Sequence, residues 1–310
     1  MQRSAGAAWP WPWSAGSVGR RFDELDYALP LRRAVLPEVE LALHERGRGR
    51  RSFVLLHGLG SDLRVWSRNL EPLASRGRVV AVDLPGFGKS SKPDVDYALP
   101  WQARMVVALL DHCGIDRAVL CGHSMGGQLA LQLALDHPER VEGLLLAAPA
   151  GLERFSDREA RWIREHVDEG YTARAGAVTV TMRYLQTFHV MPRAAWPLLR
   201  DRLAILGGPD LPAYARTVCR AVAAMLAAPV IDRLGAIAMP TWISFGSHDA
   251  LIPNRVLHGR DTAALGRRAV AAMPDAALAL VADAGHMVQL ERPEAWNLAA
   301  LTWLARRFGR

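Results

Sequence analysis

The chain has 310 residues, of which 50% are hydrophobic, so it is long enough for one large core or two smaller ones. Its apolar runs fall short of the roughly 18 residues that a membrane-spanning helix needs, so we expect no transmembrane segment. The net charge is +7, but acidic and basic side chains are interspersed, as in residues 153–169. This mixing argues against a dedicated nucleic-acid-binding protein, whose charge is concentrated on one face.

The cysteines have an odd count and no metal-ligand spacing, which favours free thiols in a reducing compartment. They are Cys113, Cys121 and Cys219. We therefore expect a cytoplasmic protein.

Residues 1–30 are expected to form a variable leader ahead of the folded core. Pro10 and Pro12 interrupt its apolar part, which argues against a secretory signal. Tryptophan is enriched at membrane interfaces, but we expect a flexible tail or a strap packed on the main domain. The tryptophans concerned are Trp9, Trp11 and Trp13.

Short apolar strands alternate with helices over residues 39–149. Strands are predicted at 39–47 (in an early hairpin), 52–58, 78–83, 117–122 and 141–149; helices are predicted at 66–75 (capped by Ser61 or Asp62), from Pro100 to a stop at Gly114, and at 125–137. This alternation predicts an α/β fold with a mostly parallel sheet that is covered on both faces.

The pattern changes to helical over residues 150–235, and strands then resume at 240–246 and 277–285 before a last helix at 293–308. The simplest organisation is one α/β domain, formed by residues 31–149 and 236–310, with a helical insertion over it.

Residues 120–128 read LCGHSMGGQ and place Ser124 between a predicted strand and a predicted helix. Gly122 and Gly126 permit a sharp turn at which a larger side chain would clash. The turn exposes the serine hydroxyl at the carboxyl end of the strand, where open α/β sheets bind ligands. This context favours a nucleophile over a serine that only caps the helix.

A serine nucleophile needs a base, and the base needs an acid that fixes its tautomer. Asp249 follows the strand at 240–246, and His286 follows the strand at 277–285. Taken singly, each is better explained as an ordinary loop residue. Together with Ser124, however, they lie at the carboxyl ends of strands in the chain order Ser, Asp, His, which predicts a catalytic triad.

An oxyanion hole needs two N–H donors. We expect one from the backbone of Met125, directly after Ser124, and the other from the backbone of Leu59 in the stretch HGLGS. His57 and Gly58 are expected to shape this loop and not to transfer protons.

Five stretches resemble the successive signatures of the α/β-hydrolase fold superfamily, and they occur in its order. They are HGLGSDLRVW, DLPGFGKS, GHSMGGQLAL, GSHDALIP and AGHMVQLERPEAWN, and the resemblance covers about residues 40–310. It implies Ser124 as nucleophile, His286 as general base and acid, and Asp249 as the orienting acid. It also implies Leu59 and Met125 as oxyanion donors and residues 150–235 as a helical cap over the active site.

Within this superfamily, epoxide hydrolases and haloalkane dehalogenases use an aspartate as nucleophile, so Ser124 argues against both. Hydrolysis of a small-molecule carboxylic ester through an acyl-enzyme is the default expectation. An alternative is a carbon–carbon bond hydrolase of a meta-cleavage-type dienoate, which the cap pattern resembles. Those enzymes usually carry Trp after the histidine, where this chain has Met287. Two further alternatives are a cofactor-free haloperoxidase or perhydrolase and a non-catalytic ligand receptor.

Apolar residues of the insertion could line a substrate pocket, although simple packing explains each equally well. The candidates are Met182, Tyr184, Phe188, Met191, Trp196 and, beside His286, Met287. Arg183 or Arg193 could meet a substrate carboxylate, but solvated arginines are the better expectation.

We expect no cofactor and no metal, since Asp83, Asp275 and Asp283 are not in metal-type clusters along the sequence. The expected partner is a small-molecule substrate, with no nucleic acid, and a homodimer is left open.

Overall fold

The computed structural model of the chain describes residues 18–168, 170 and 173–309, and these form an eight-stranded sheet with flanking helices. The order of strands across the sheet is β1-β2-β4-β3-β5-β6-β7-β8. Strands β1 and β2 run antiparallel to their neighbours, and all other pairs are parallel. The strands are β1 (Arg32–Val35), β2 (Glu40–Arg46), β3 (Ser52–Leu56), β4 (Arg78–Val82), β5 (Ala118–His123), β6 (Val141–Ala147), β7 (Thr241–Gly246) and β8 (Ala276–Val281).

The central strands are short apolar runs, and every residue of β3, β5 and β7 is buried. Strands that are covered on both faces need this continuous hydrophobicity. Because β3, β5, β7 and β8 are parallel, their carboxyl ends meet at one edge of the sheet. After β3 the chain forms β4 on one side of that strand and then crosses over to form β5 on its other side. This reversal of direction creates the crevice where open α/β sheets bind ligands.

Ten α-helices have both of their ends within the described residues. They are α1 (Leu70–Ala74), α2 (Leu99–His112), α3 (Met125–Asp136), α4 (Asp157–His166), α5 (Ala177–Leu185), α6 (Trp196–Ala204), α7 (Leu211–Ala227), α8 (Thr262–Ala271), α9 (Val288–Glu291) and α10 (Pro293–Phe308). Helix α2 packs on α3, α1 on α10, and α8 on β7 and β8. No helix among the described residues is long and apolar enough to cross a membrane.

Helices α4 to α7 lie between β6 and β7, within the stretch that the sequence marked as helical. We call residues 150–235 the insert. The start of the described chain contacts it, since the N–H groups of Gly19 and Arg20 donate to the carbonyl groups of Leu206 and Ala204. Phe22, Leu25 and Tyr27 are buried. The three tryptophans of the leader lie outside the described residues.

The predicted fold class is confirmed, and the predicted strands agree with the observed ones to within a few residues. The helix predicted at 66–75 is wrong in extent, because a 3-10 turn (Leu63–Trp66) and the short α1 occupy this region. Pro72 lacks an N–H and would clash with the carbonyl four residues earlier, so it is tolerated in the first turn of α1 but not in the interior of a helix that begins at residue 66. Of the two predicted caps, Asp62 is the one observed, and its carboxylate accepts the N–H of Arg64.

Candidate active site

Ser124 occupies the tight turn between β5 and α3. Its φ of 53° and ψ of −116° are strained for a residue with a side chain. Strand and helix approach so closely that a Cβ at Gly122 would lie 2.5 Å from the carbonyl oxygen of Gly126. A Cβ at Gly126 would clash with the carbonyl oxygen of Leu56. The two glycines are therefore required by the turn, for the steric reason expected from the sequence.

Backbone hydrogen bonds hold Ser124 in this conformation. Its N–H donates to the carbonyl oxygen of Ala147 at 3.0 Å. Its own carbonyl oxygen accepts the N–H groups of Gly127, Gln128 and Ala150 at 2.9–3.0 Å. Helix α3 begins at the next residue, so its unpaired N–H groups and its dipole favour negative charge beside the serine.

The structure pairs His286 with Asp249 as the sequence predicted. The Nδ1 atom of His286 lies 2.9 Å from Oδ2 of Asp249, and both side chains are buried. The other oxygen of Asp249 accepts the N–H groups of Leu251 and Ile252 at 2.8 and 3.0 Å. Both oxygens of the carboxylate are therefore occupied, which fixes its orientation toward the imidazole.

His123 connects the serine turn to the histidine loop. Its ring lies 4.9 Å from the ring of His286, and its Nε2 atom lies 3.2 Å from the backbone oxygen of His286. Burial, together with the neighbouring His286, holds the pKa of His123 well below its usual range. A neutral His123 next to Ser124 therefore positions the His286 backbone and adds no charge to the site. No pattern in the sequence indicates this role of His123.

The loop after β3 carries the second predicted oxyanion donor. His57 is fully buried, its Nδ1 lies 2.8 Å from the carbonyl oxygen of Gly58, and its Nε2 accepts the N–H of Leu84 at 2.9 Å. Burial lowers the pKa of His57 to about 4, so the ring is neutral near pH 7. His57 thus holds the loop after β3 in place. Within the described residues, no protein acceptor takes the N–H of Leu59 or Met125.

Two residues of the insert contact this loop at Gly60. The guanidinium of Arg202 and the hydroxyl of Tyr214, at 3.1 Å, both donate to the carbonyl oxygen of Gly60. Arg202 also lies over the ring of Tyr214, 5.0 Å from its centre. Burial lowers the pKa of Arg202, although the residue keeps some exposure. No sequence pattern signals this contact, because Arg202 and Gly60 are far apart along an arginine-rich chain.

A buried charge cluster lies below the same loop. Arg64 donates to Asp62 at 2.8 Å and to Asp201, on α6 of the insert, at 2.6 Å. Arg64 also stacks over the ring of Tyr27, and the Tyr27 hydroxyl donates to Asp83. These contacts join the leader, the loop after β3 and the insert through groups that are buried, except for Asp62, whose side chain is 14% exposed.

Glu291 joins the insert to the loop that carries His286. Its buried carboxylate accepts the N–H of Gly285 at 2.8 Å, of His189 at 3.2 Å and of Val190 at 2.6 Å. The N–H of Met287 donates to Thr187 at 3.2 Å. The segment after α5 is thereby bonded directly to Met287 and linked through Glu291 to Gly285, which the sequence did not reveal.

The predicted pocket residues divide into two groups. Tyr184, Phe188, Met191 and Met287 belong to the hydrophobic core or pack against it, and the rings of Tyr184 and Phe188 are 5.4 Å apart. Burial raises the pKa of Tyr184. Met182 is 55% exposed on α5, and the partly exposed Trp196 is not among the residues of this core. The first four therefore belong to or contact the core, whereas Met182 lies on the surface.

The two arginines considered for a substrate carboxylate, Arg183 and Arg193, are both exposed. Arg202, another arginine of the insert, contacts the loop after β3 at Gly60.

The three aspartates considered for a metal site have different environments. Asp83 accepts the N–H groups of Leu63 and Lys89, and Asp275 pairs with Arg307. Asp283 lies close to His189 and His248, a grouping that the sequence separations concealed.

Comparison with known proteins identifies the family. Residues 53–299 match the family model described as the alpha/beta hydrolase family. A dihydrolipoyllysine-residue acetyltransferase component of the acetoin cleaving system from Pseudomonas putida is 33% identical over 266 residues, which are 84% of this chain. The chain spans 65% of the length of that relative.

Another relative, 2-hydroxy-6-oxo-6-phenylhexa-2,4-dienoate hydrolase from Burkholderia cepacia, is 31% identical over 87% of this chain and 93% of its own length. Among solved structures, a probable hydrolytic enzyme from Pseudomonas aeruginosa PAO1 has a TM-score of 0.82 at 27% identity, covering 93% of this chain and 98% of its own. With the serine turn and the histidine–aspartate pair, these similarities show that the chain belongs to the alpha/beta hydrolase family.

Proposed function

We propose that the chain is a serine hydrolase that cleaves a small-molecule carboxylic ester through Ser124, His286 and Asp249. The observation that carries this proposal is the buried pair of His286 and Asp249, which His123 connects to the strained turn of Ser124. A serine held in a strained turn, with a histidine that a carboxylate orients, is the arrangement that makes a hydroxyl nucleophilic.

In the first half of the reaction, Oγ of Ser124 attacks the ester carbonyl carbon while its proton passes to Nε2 of His286. Asp249 stabilises the imidazolium through Nδ1. The oxyanion of the tetrahedral intermediate accepts the N–H groups of Leu59 and Met125. His286 then gives its proton to the leaving alkoxide, and the alcohol departs from the acyl-enzyme.

In the second half, a water molecule gives its proton to His286 and attacks the acyl carbon. Collapse of the second tetrahedral intermediate releases the carboxylic acid and returns the proton to Ser124. No redox step or external cofactor is needed for this balance. The insert acts in this proposal as a cap, because it is bonded to the loop after β3 through Gly60 and to the His286 loop through Glu291.

A second candidate is hydrolysis of a carbon–carbon bond in a dienoate acid. Two observations favour it: the similarity to the Burkholderia cepacia dienoate hydrolase, and the Arg202 guanidinium beside Gly60, a cation that could meet a substrate carboxylate. Met287, which stands where such enzymes usually have Trp, counts against it.

The experiment is turnover of p-nitrophenyl esters from acetate to decanoate by the wild type and by Ser124→Ala. Ser156→Ala is the matched control, because Ser156 only caps α4 on the surface. We expect ester turnover in the wild type and the control and none in Ser124→Ala. Activity retained in Ser124→Ala would reject the nucleophile. If no ester reacts but a ring-cleavage dienoate does, the second candidate replaces the first; ligand-dependent stabilisation without any turnover would point to a receptor.

A further inference from the structure

Three side chains with metal-binding chemistry meet on the surface beside the His286 loop. His189 comes from the segment after α5, His248 follows β7 directly before Asp249, and Asp283 follows β8. One ligand atom from each lies within 4.8 Å of the other two. The imidazole rings of His189 and His248 are stacked, with centres 3.9 Å apart and planes 20° apart.

We propose that His189, His248 and Asp283 form a binding site for a zinc ion that clips the insert to the loops carrying Asp249 and His286. Two imidazole nitrogens and one carboxylate oxygen are a ligand set that suits Zn²⁺, with water in the remaining position. Around a tetrahedral zinc ion, ligand atoms lie about 3.4 Å apart, as follows from metal–ligand distances near 2.1 Å. All three side chains are exposed, so rotation about their side-chain bonds can unstack the two rings and bring the ligand atoms to this spacing.

Ser247 forms hydrogen bonds with two of the three residues of the proposed site. Its Oγ lies 2.9 Å from Nδ1 of His248 and accepts the N–H of Asp283 at 3.1 Å. When Nδ1 of His248 carries the proton and donates to Ser247, the lone pair on Nε2 is available to the metal. Such outer hydrogen bonds fix the tautomer and the ring orientation of histidine ligands. One hydroxyl thus orders two of the three proposed ligands.

The charges around the cluster affect its affinity. Arg255 and Arg260 line the same surface depression as His189 and His248. Their positive charge opposes a divalent cation, and the Asp283 carboxylate favours it. We therefore expect a reversible site that responds to free zinc, and not a permanently bound structural ion.

The position of the cluster determines which segments a bound zinc ion would link. The backbone of His189 is already bonded to Glu291, and Glu291 also holds Gly285, the residue before His286. A zinc ion would add a second link from His189 to the residue before Asp249 and to the β8 loop. Zinc should therefore restrain the segment between α5 and α6.

Binding is tested by calorimetric titration of untagged, EDTA-treated protein with ZnCl₂ and, separately, with MgCl₂. We expect one zinc ion per chain, a raised melting temperature and no response to magnesium, which prefers oxygen ligands. The variants His189→Ala, His248→Ala and Asp283→Asn should lose the binding. Ser247→Ala should weaken it by roughly 10–100-fold, the usual effect of removing an outer hydrogen bond.

His166→Ala is the matched control, because His166 is an exposed histidine on α4 outside this cluster. It should bind zinc as the wild type does, and all variants should melt near the wild-type temperature in EDTA because they alter exposed side chains. Zinc binding that persists in the three ligand variants, or an equal response to magnesium, would overturn the site.

The clip is tested by tryptic cleavage after Arg193, which is exposed within the segment between α5 and α6. Zinc should slow this cleavage in the wild type and in His166→Ala but not in His189→Ala. Zinc binding at the site without any protection of Arg193 would overturn the clip.

Discussion

Nδ1 of His286 lies 2.9 Å from Oδ2 of Asp249, although the two residues are 37 positions apart in the chain. Parallel strands β7 and β8 bring their loops to the same edge of the sheet, and two backbone N–H groups turn the carboxylate toward the ring. The pair is thus set by sheet topology together with local hydrogen bonds.

The first prediction concerns Asp249→Asn. The amide cannot stabilise the imidazolium and favours the wrong tautomer of His286, so kcat should fall by roughly 10⁴-fold, as in other serine hydrolases. The check is ester turnover beside far-UV circular dichroism, which should show an unchanged fold. A near-normal rate would mean that another acid orients His286.

The second prediction concerns Glu291→Gln. The carboxylate accepts three N–H groups, whereas a glutamine presents one acceptor oxygen and an NH₂ group that cannot accept. Leaving a buried N–H unpaired should lower the free energy of unfolding by about 1–3 kcal/mol. Because Gly285 precedes His286, kcat should fall by a larger factor than KM rises.

Urea denaturation and steady-state kinetics measure both effects. The matched control is Glu294→Gln, which removes an exposed carboxylate paired with Arg68 and should change neither quantity appreciably. If the two variants behave alike, Glu291 does not position the His286 loop.

The third prediction concerns Asp201→Asn, which weakens the buried contact between Arg64 and α6 of the insert. Arg64 keeps Asp62 as a partner, so we expect the loss of one charged hydrogen bond, about 1.5–3 kcal/mol in the free energy of unfolding. Asp94→Asn, at an exposed pair with Arg220, should cost about 0–1 kcal/mol. Equal costs in urea denaturation would show that the buried cluster does not hold the insert.

The fourth prediction concerns the pH dependence of stability through His57. Its pKa is about 4 in the folded chain, below the model-peptide value of 6.5, so the unfolded chain binds more protons between these values. The contribution is complete above pH 6.5 and is lost as the pH falls toward 4. The size of the loss is on the order of 3 kcal/mol, from 1.36 kcal/mol for each pH unit.

Comparing the wild type with His57→Asn isolates this contribution from that of other titrating groups. Between pH 7 and pH 4.5, the wild type should lose more unfolding free energy than the variant. Imidazole NMR provides a direct check, since His57 should remain neutral at pH 5.5. A His57 ring that protonates between pH 6 and 7 would contradict the assignment.

The features that the sequence predicted depend on local patterns. Apolar strands, the steric need for Gly122 and Gly126, and the placement of Asp249 and His286 after strands can each be read within a few residues. Parallel pairing then brings the strand ends together without further information.

The features that it did not predict depend on how distant segments pack. Arg202 reaches Gly60 and Glu291 reaches Val190 only once the insert has docked, and no spacing rule links such residues. The same reason explains the grouping of His189 with His248. Met182 shows the converse, because an apolar residue in a helical pattern can still face solvent.

The most direct test of the central claim is covalent labelling with an alkyl fluorophosphonate, followed by intact-mass and peptide mass spectrometry. The account predicts one adduct per chain, located on Ser124, absent from Ser124→Ala and formed much more slowly in His286→Ala, because the base no longer activates the hydroxyl. An adduct on another residue, or no adduct while ester turnover persists, would contradict the assignment of Ser124 as the nucleophile.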